Sequence, residues 1–405
     1  MTNSRLPSNL RVVSVRSVLS GMASTMGRAV WQPFVLSLGA PMTALGLLES
    51  LGGMRSLLPA PAQYLSGWLS DRLGRKPFIA AGLLAGLLGS LFFITGALRF
   101  NWYWLIPGIA LAGMVFIADP PQDSLVAEST HPRQRGTAFS ILMLAWMAPG
   151  IVAPTVGGFL AERWGYALVY ALQALLYGLA LFVVLRFLRE TLRNPQRHVP
   201  IREVGRALAR LVSPPRALYG FFVAIAVDSV AWGLGWSLLY GMLTDTYQYS
   251  TVQIGVMSST MSVAWVVTQL PVGRLVDRFG AKRLLVFSEF LGVLVVVGWI
   301  LSRSYEAFLA LQLLFGLMAA MWAPALRALI SNSVHEQQRG ESLGRLAAFQ
   351  GLIGFPAPLI GGMLYDRWGF YAPLTASLVG VVAATLLLAL LVREPPHEED
   401  PLADP

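Results

Sequence analysis

The sequence predicts an all-α polytopic membrane protein, with twelve transmembrane helices in two pseudo-symmetric six-helix bundles. Three observations lead there. First, 55% of the 405 residues are hydrophobic and only 13% are charged, against about 25% charged in a soluble domain. Second, the charges cluster, and the runs between clusters reach the roughly 20 apolar residues a bilayer requires. Third, the chain repeats itself. GWLSDRLGRK at Gly67–Lys76 returns as GRLVDRFGAK at Gly273–Lys282, PRQRG at Pro132–Gly136 as EQQRG at Glu336–Gly340, and GGFLAERWGY at Gly157–Tyr166 as GGMLYDRWGF at Gly361–Phe370. Three echoes in one order at a half-chain offset describe two related halves, not a solenoid.

Hydropathy places the spans near 12–37, 42–70, 76–98, 102–126, 135–161, 166–188, 216–244, 251–275, 282–302, 306–330, 338–365 and 370–392. Several exceed the minimum and are expected to tilt or to project beyond the hydrocarbon. The halves are then residues 1–188 and 216–392, joined by a basic linker at 189–215 and followed by a tail at 393–405. IREVGRALARLV within the linker has helical spacing suited to the inner membrane surface, or serves simply as a basic connection. The acidic tail EPPHEEDPLADP is expected to lack fixed structure. The polar start Met1–Arg11 and the long apolar run after it predict no cleavable signal peptide. Of the 30 lysines and arginines, about 22 fall in the N-terminus, the even-to-odd loops and the tail. The positive-inside rule therefore places both termini in the cytoplasm.

Composition also removes function classes. The net charge of +9 sits in short inter-span loops, a pattern of membrane topology and not of nucleic-acid binding. There are no cysteines, so thiolate nucleophiles, disulfides and Cys-ligated metals are excluded. His131, His198, His335 and His397 all fall in loops or the tail, leaving none at membrane depth for catalysis, metal binding or proton relay. No nucleotide-binding loop is present to support ATP drive. An enzyme, a metal and a cofactor are all unexpected.

The first repeat must reverse the chain between two helices in a few residues. Gly74 suits the left-handed residue that ends a helix, and Pro77 is tolerated in the first turn of the next. Gly67 and Gly273 admit a neighbouring helix closely, and Asp71 and Asp277 are acceptors for a helix N-terminus or an arginine. This G-x-L-x-D-R-x-G-x-K loop, found after the second and eighth spans, resembles the signature loop of the major facilitator superfamily, and the likeness extends over essentially the whole chain. The resemblance implies a transporter in a bacterial or archaeal cytoplasmic (inner) membrane. It also implies a gating latch at Gly67, Asp71, Arg72, Gly74 and Arg75, answered by Gly273, Asp277, Arg278 and Gly280. The second copy departs at Ala281, where the first has Arg75, which implies a weaker latch there. APTVGG at Ala153–Gly158 partly resembles the superfamily's fifth-span antiporter motif. APLIGG at Ala357–Gly362 matches it in the other half, so the pattern reads mainly as a kink.

Ionisable groups in hydrocarbon are functional candidates by default. Asp228 is expected near the midplane of span seven, with Asp119 in span four before Pro120 and Pro121. Arg28, Glu49 and Arg55 lie in the outer half, and Arg16, Arg327 and Glu289 nearer the inner surface. Spans one, four, seven and ten line the cavity in the resembled fold, which places Arg28, Asp119, Asp228 and Trp322 there. Asp228, Trp232, Trp236 and Tyr240 recur every four residues on one stripe. They suit an apolar or cationic substrate through stacking and cation–π contact, or else pack against the other bundle. Trp265, Gln269 and Gln350 complete the substrate candidates. Asp228, Asp119 and Glu49 are the candidates for proton coupling, although Arg28, Glu49 and Arg55 also suit a structural ion pair. The expected activity is proton-coupled export of hydrophobic or amphipathic small molecules by a monomer in the lipid bilayer. The alternative is uptake or facilitated diffusion of an organic anion or sugar metabolite, which a cavity-facing Arg28 would favour.

Overall fold

A computed structural model describes residues 8–53, 56–131, 134–192, 219–333 and 339–392, and every regular element among them is helical. Span 1 is Ser8–Ser37. Span 2 is Met42–Gly52 continued by Pro59–Leu73, and span 3 is Arg75–Arg99. Span 4 comprises Leu105–Gly113, a 3-10 stretch Met114–Ala118, and Asp119–Ser129. Span 5 is Arg135–Met147 and Ala153–Trp164 around a 3-10 turn, and span 6 is Tyr166–Phe187. In the second half, span 7 is Tyr219–Leu234, the 3-10 turn Trp236–Leu238 and Leu239–Tyr247. Span 8 is Thr251–Phe279, span 9 Ala281–Leu301, span 10 Tyr305–Ser333, span 11 Arg339–Gly354 and Pro356–Trp368, and span 12 Tyr371–Leu391. Among the described residues, ten spans are long and apolar enough to cross a membrane. Spans 1 and 2 fall short of that standard, the first carrying Arg11, Arg16 and Arg28, the second broken after Gly52. The linker segment IREVGRALARLV, the acidic tail and Arg55 lie outside the described residues.

Twelve spans put both termini at one end, the terminal end, and the turns near residues 38–41, 165, 248–250, 302–304 and 369–370 at the other, the distal end. Four tight turns are made by glycines in a conformation that a Cβ would strain: Gly74 (φ 110°) and Gly280 (φ 83°), Gly165 (φ 84°) and Gly369 (φ 75°). Each pair occupies matching places in the two halves, so the repeated glycines are the residues that let the chain reverse.

Several spans are broken, span 4 beside the two prolines whose presence predicts a break or bend. Pro120 and Pro121 have no N–H to donate, so span 4 passes through a 3-10 stretch before its helix restarts at Asp119. Span 7 breaks at Gly235, where a Cβ would meet the Ser377 side chain.

The cores divide unequally. In the distal half one apolar cluster is shared by both bundles, with Val30, Phe34, Leu45 and Leu48 packed with Leu238, Met242, Ile254 and Trp299. In the terminal half the core separates. Leu10, Ile79, Leu83 and Leu125 cluster in the first bundle, and Phe222, Leu285, Leu326 and Leu346 in the second.

Candidate functional site

The contacts that close the distal end come in mirrored pairs exchanged between bundles. Asp366 on span 11 accepts from the N–H groups of Met42 (3.1 Å) and Thr43 (2.8 Å) and from the Thr43 hydroxyl (2.6 Å), thereby capping span 2. At the matching place in the first half, Glu162 on span 5 accepts from the N–H of Val252 (3.3 Å) at the start of span 8. Deeper in, the helices that restart after the breaks in spans 5 and 11 have unsatisfied N–H groups in their first turn. The Thr155 N–H donates to Ser259 Oγ (3.3 Å), and the Leu359 N–H to Ser50 Oγ (3.3 Å). Gly158 and Gly362 let the backbones touch, since a Cβ at either would meet the carbonyl of Thr251 or Met42. The repeated PxxGG and acidic positions thus form two copies of one joint.

Gln32 adds a contact that has no mirror among the described residues. Its Nε2 donates to the Ser237 carbonyl (2.6 Å), and its Oε1 accepts from the Gly241 N–H (2.6 Å), both around the break in span 7. The same Nε2 lies 3.2 Å from Glu49 Oε1. Arg28 Nη2 is 3.7 Å from the buried Glu49 Oε2, while the Arg28 side chain keeps 56% of its surface exposed. Arg28 lines a cavity of about 60 Å³ with Trp31, Phe93, Tyr170, Gln173 and Tyr177. Sequence reasoning passed over Gln32. Its only signal was a long amide in an otherwise apolar stretch, WQPF.

In the second bundle, Asp228 (3% exposed) and Glu289 (0%) lie together. The Glu289 carboxyl is within hydrogen-bonding reach of Asp228 and Trp322, and Trp232 Nε1 is 3.4 Å from its Oε2. Counting from the helix ends places Glu289 nearer the surface, but packing brings it to the depth of Asp228. The aromatic stripe bends at the break in span 7. Trp236 stacks on Trp299 (5.7 Å, 14°) and lies 4.0 Å from Phe315, and Trp232 lies 5.6 Å from Phe315, so these rings pack on spans 9 and 10 of their own bundle. Tyr240 remains within electrostatic reach of Arg28. Trp265 Nε1 donates to Gln269 Oε1 (2.9 Å) on span 8, and Gln350 is buried in span 11. In the first bundle Arg16, buried, donates to Gln122 (2.5 Å) and lies 3.8 Å from Asp119, whose side chain is half exposed.

At the terminal end the first signature loop is held inside its own bundle. Arg75 Nη2 lies 2.7 Å from Glu128 and 3.1 Å from Asp71, and Arg72 lies over the Trp68 ring at 3.9 Å. Glu190, just past span 6, accepts from the N–H groups of Arg75 (3.1 Å) and Lys76 (2.9 Å) and from those of Thr191 and Leu192. Partial burial works against its charge. The four N–H donors outweigh that effect and hold its carboxyl below the usual range. Of the second copy, Gly280 makes the turn and Arg278 lies over Phe279 (5.4 Å). The side-chain environments of Gly273 and Asp277 lie outside what is described.

A family profile described as Major Facilitator Superfamily matches residues 14–244 and again 221–404. The chain belongs to the major facilitator superfamily. This facilitator is 26% identical over 406 residues to the multi-drug resistance efflux pump PmrA of Streptococcus pneumoniae, covering 97% of this chain and 98% of PmrA. It is 24% identical to the multidrug resistance protein MdtG of Klebsiella pneumoniae, covering 96% and 95%. Its fold is similar to that of the human organic anion transporter MFSD10 (TETRAN), with a TM-score of 0.68 and 19% identity over 94% of this chain and 99% of that one. A peptide transporter, POT, aligns at a TM-score of 0.75 and 15% identity over 96% and 95%. The facilitator is thus an integral membrane transporter with the twelve-helix fold.

Proposed function

We propose that this facilitator is a proton-coupled exporter of hydrophobic or amphipathic small molecules. It works by alternating access in a prokaryotic cytoplasmic membrane, with both termini cytoplasmic. The observation that carries the reading is the unequal core: one apolar cluster across both bundles at the distal end, two separate ones at the terminal end. Two bodies joined at one end are half of a rocking cycle. The mirrored joints then have to part when the other end closes. With the termini inside, this is the inward-facing state. Export is supported by full-length similarity to PmrA and MdtG, both named for drug resistance. Protons are assigned to Asp228, Asp119 and Glu49. Substrate is assigned to the space between bundles near Arg28, Tyr240, Trp265, Gln269, Trp322 and Gln350, with Trp232 and Trp236 shaping its wall. The signature loops act as the terminal-end gate.

The second reading, uptake or facilitated diffusion of an organic anion or sugar, is favoured by the exposed guanidinium of Arg28 on its cavity and opposed by Glu49 at 3.7 Å. The test uses the purified chain in proteoliposomes loaded with acid. The cationic dye ethidium is expected to accumulate inside only when the interior is more acidic, and Asp228→Asn to remove that dependence. Absence of gradient-dependent dye uptake, with accumulation of benzoate that Arg28→Gln removes, would replace export by the anion reading.

A further inference from the structure

We infer that Asp228 and Glu289 form one proton-binding site, holding a single proton between two carboxyl groups. This deepens the proton coupling proposed above and rests on it. Asp228 comes from span 7 and Glu289 from span 9, which is not among the helices expected to line the cavity. Both are almost wholly withdrawn from solvent, and Glu289 lies within hydrogen-bonding reach of Asp228. A carboxylate only accepts, so a hydrogen bond between two carboxyl groups requires that one of them be protonated. Two like charges in contact in a poorly polarisable surrounding cannot both ionise cheaply, and the proton belongs to the pair, not to either residue.

The groups facing the pair suit a single shared proton. Trp232 from span 7 and Trp322 from span 10 present indole N–H donors to Glu289. Two donors to one carboxyl suit a pair that keeps one negative charge while sharing one proton. Span 9 adjoins with Ser288, whose hydroxyl is spent on the Leu285 carbonyl (2.7 Å). Span 11, packed on span 7, carries Arg345, whose Nε is buried. Arg327 of span 10 is within electrostatic reach of Asp123 of the other bundle.

The site also has a route to the distal joint. Trp232 stands one turn before the break in span 7, and the break presents the Ser237 carbonyl and Gly241 N–H to Gln32. Loss of the proton leaves two adjacent carboxylates that repel one another. The rearrangement that separates them moves Trp232, and with it the segment that Gln32 holds.

The test measures the proton and the transport separately. In lipid nanodiscs, infrared difference spectra between neutral and alkaline deuterated buffer are expected to show a buried carboxylic C=O band that titrates. Glu289→Gln, Asp228→Asn and the double variant are each expected to remove the same band. Loss in two additive steps, or a band untouched by all three, would overturn the pair. Glu289→Asp, which keeps the carboxyl, is expected to retain a band with its midpoint shifted by about one pH unit or more, and this guards against misfolding. In acid-loaded proteoliposomes the neutral variants are expected to lose gradient-driven ethidium accumulation. Gradient-driven accumulation unchanged in both single variants would also refute the pair. A titrating shared band in a wild type whose ethidium flux ignores the gradient would instead refute the transport reading and leave the pair standing.

Discussion

At the scale of single residues, polar atoms do what apolar ones cannot do in lipid: they fix which surfaces meet. Association of helices inside a bilayer gains little from the hydrophobic effect, so hydrogen bonds and small residues decide the partner. Gln32 is the sharpest case, because one amide satisfies a carbonyl and an N–H left by the break in span 7. Gln32→Leu leaves those backbone groups unpaired, at a cost of about 1–3 kcal/mol. The distal end of that variant is expected to open more often. Ser237→Cys in the cysteine-free chain should then label faster with a polar maleimide in the Gln32→Leu background than without it. Gly362 makes the complementary point. Gly362→Leu would drive a side chain into the Met42 carbonyl, and the variant is expected to lose the closed distal state while the separate terminal-half cores persist.

At the scale of elements, breaks in helices create function from geometry. The restart of spans 5 and 11 exposes first-turn N–H groups, and serines of the opposite bundle accept from them. Ser50→Ala with Ser259→Ala is expected to lower the thermal stability of the closed form by about 1 kcal/mol per bond, seen as a lower Tm in detergent. The junction of the first signature loop with span 6 makes a prediction with a pH sign. Glu190 has its folded-state pKa depressed by four N–H donors. Its stabilisation is therefore complete above the unfolded glutamate value of about 4.3 and is lost as pH falls through the lower folded value. Thermal unfolding of wild type against Glu190→Gln should show a gap at neutral pH that narrows only below about pH 4.

At the scale of the whole molecule, the two halves are alike where they meet at the distal end and unlike inside. Glu162 and Asp366, Ser259 and Ser50, and Gly158 and Gly362 repeat one joint. The charged interiors do not repeat: Arg28, Glu49 and Gln32 link spans 1 and 2 to span 7, while Asp228 and Glu289 pair within the second bundle. Alternating access requires the repeated joint to part in every cycle. Thr43→Cys with Asp366→Cys places two thiols where the cap now sits, and oxidation is expected to abolish ethidium transport, with recovery on reduction. Transport unaffected by a quantitatively formed crosslink would mean that the distal end does not open.

The helical class, the number of spans, the duplication and the family were all legible in the chain, because a bilayer forces backbone bonds inside each helix and so writes span length into local composition. The turn glycines were legible for the same reason, being required by local backbone shape. The third echo was visible as a repeat, but its meaning was not, since Glu162 and Asp366 act on the half to which they do not belong. Asp228 could be singled out as a charge in an apolar run, and Arg28 and Glu49 likewise. Glu289 could not be assigned to Asp228, nor Gln32 to the break in span 7. Those pairings join residues 61 and more than 200 positions apart, and only the packing angles of helices decide which buried polar atoms face each other. Local sequence set how each helix forms, and the tertiary structure alone decided which charge has which neighbour.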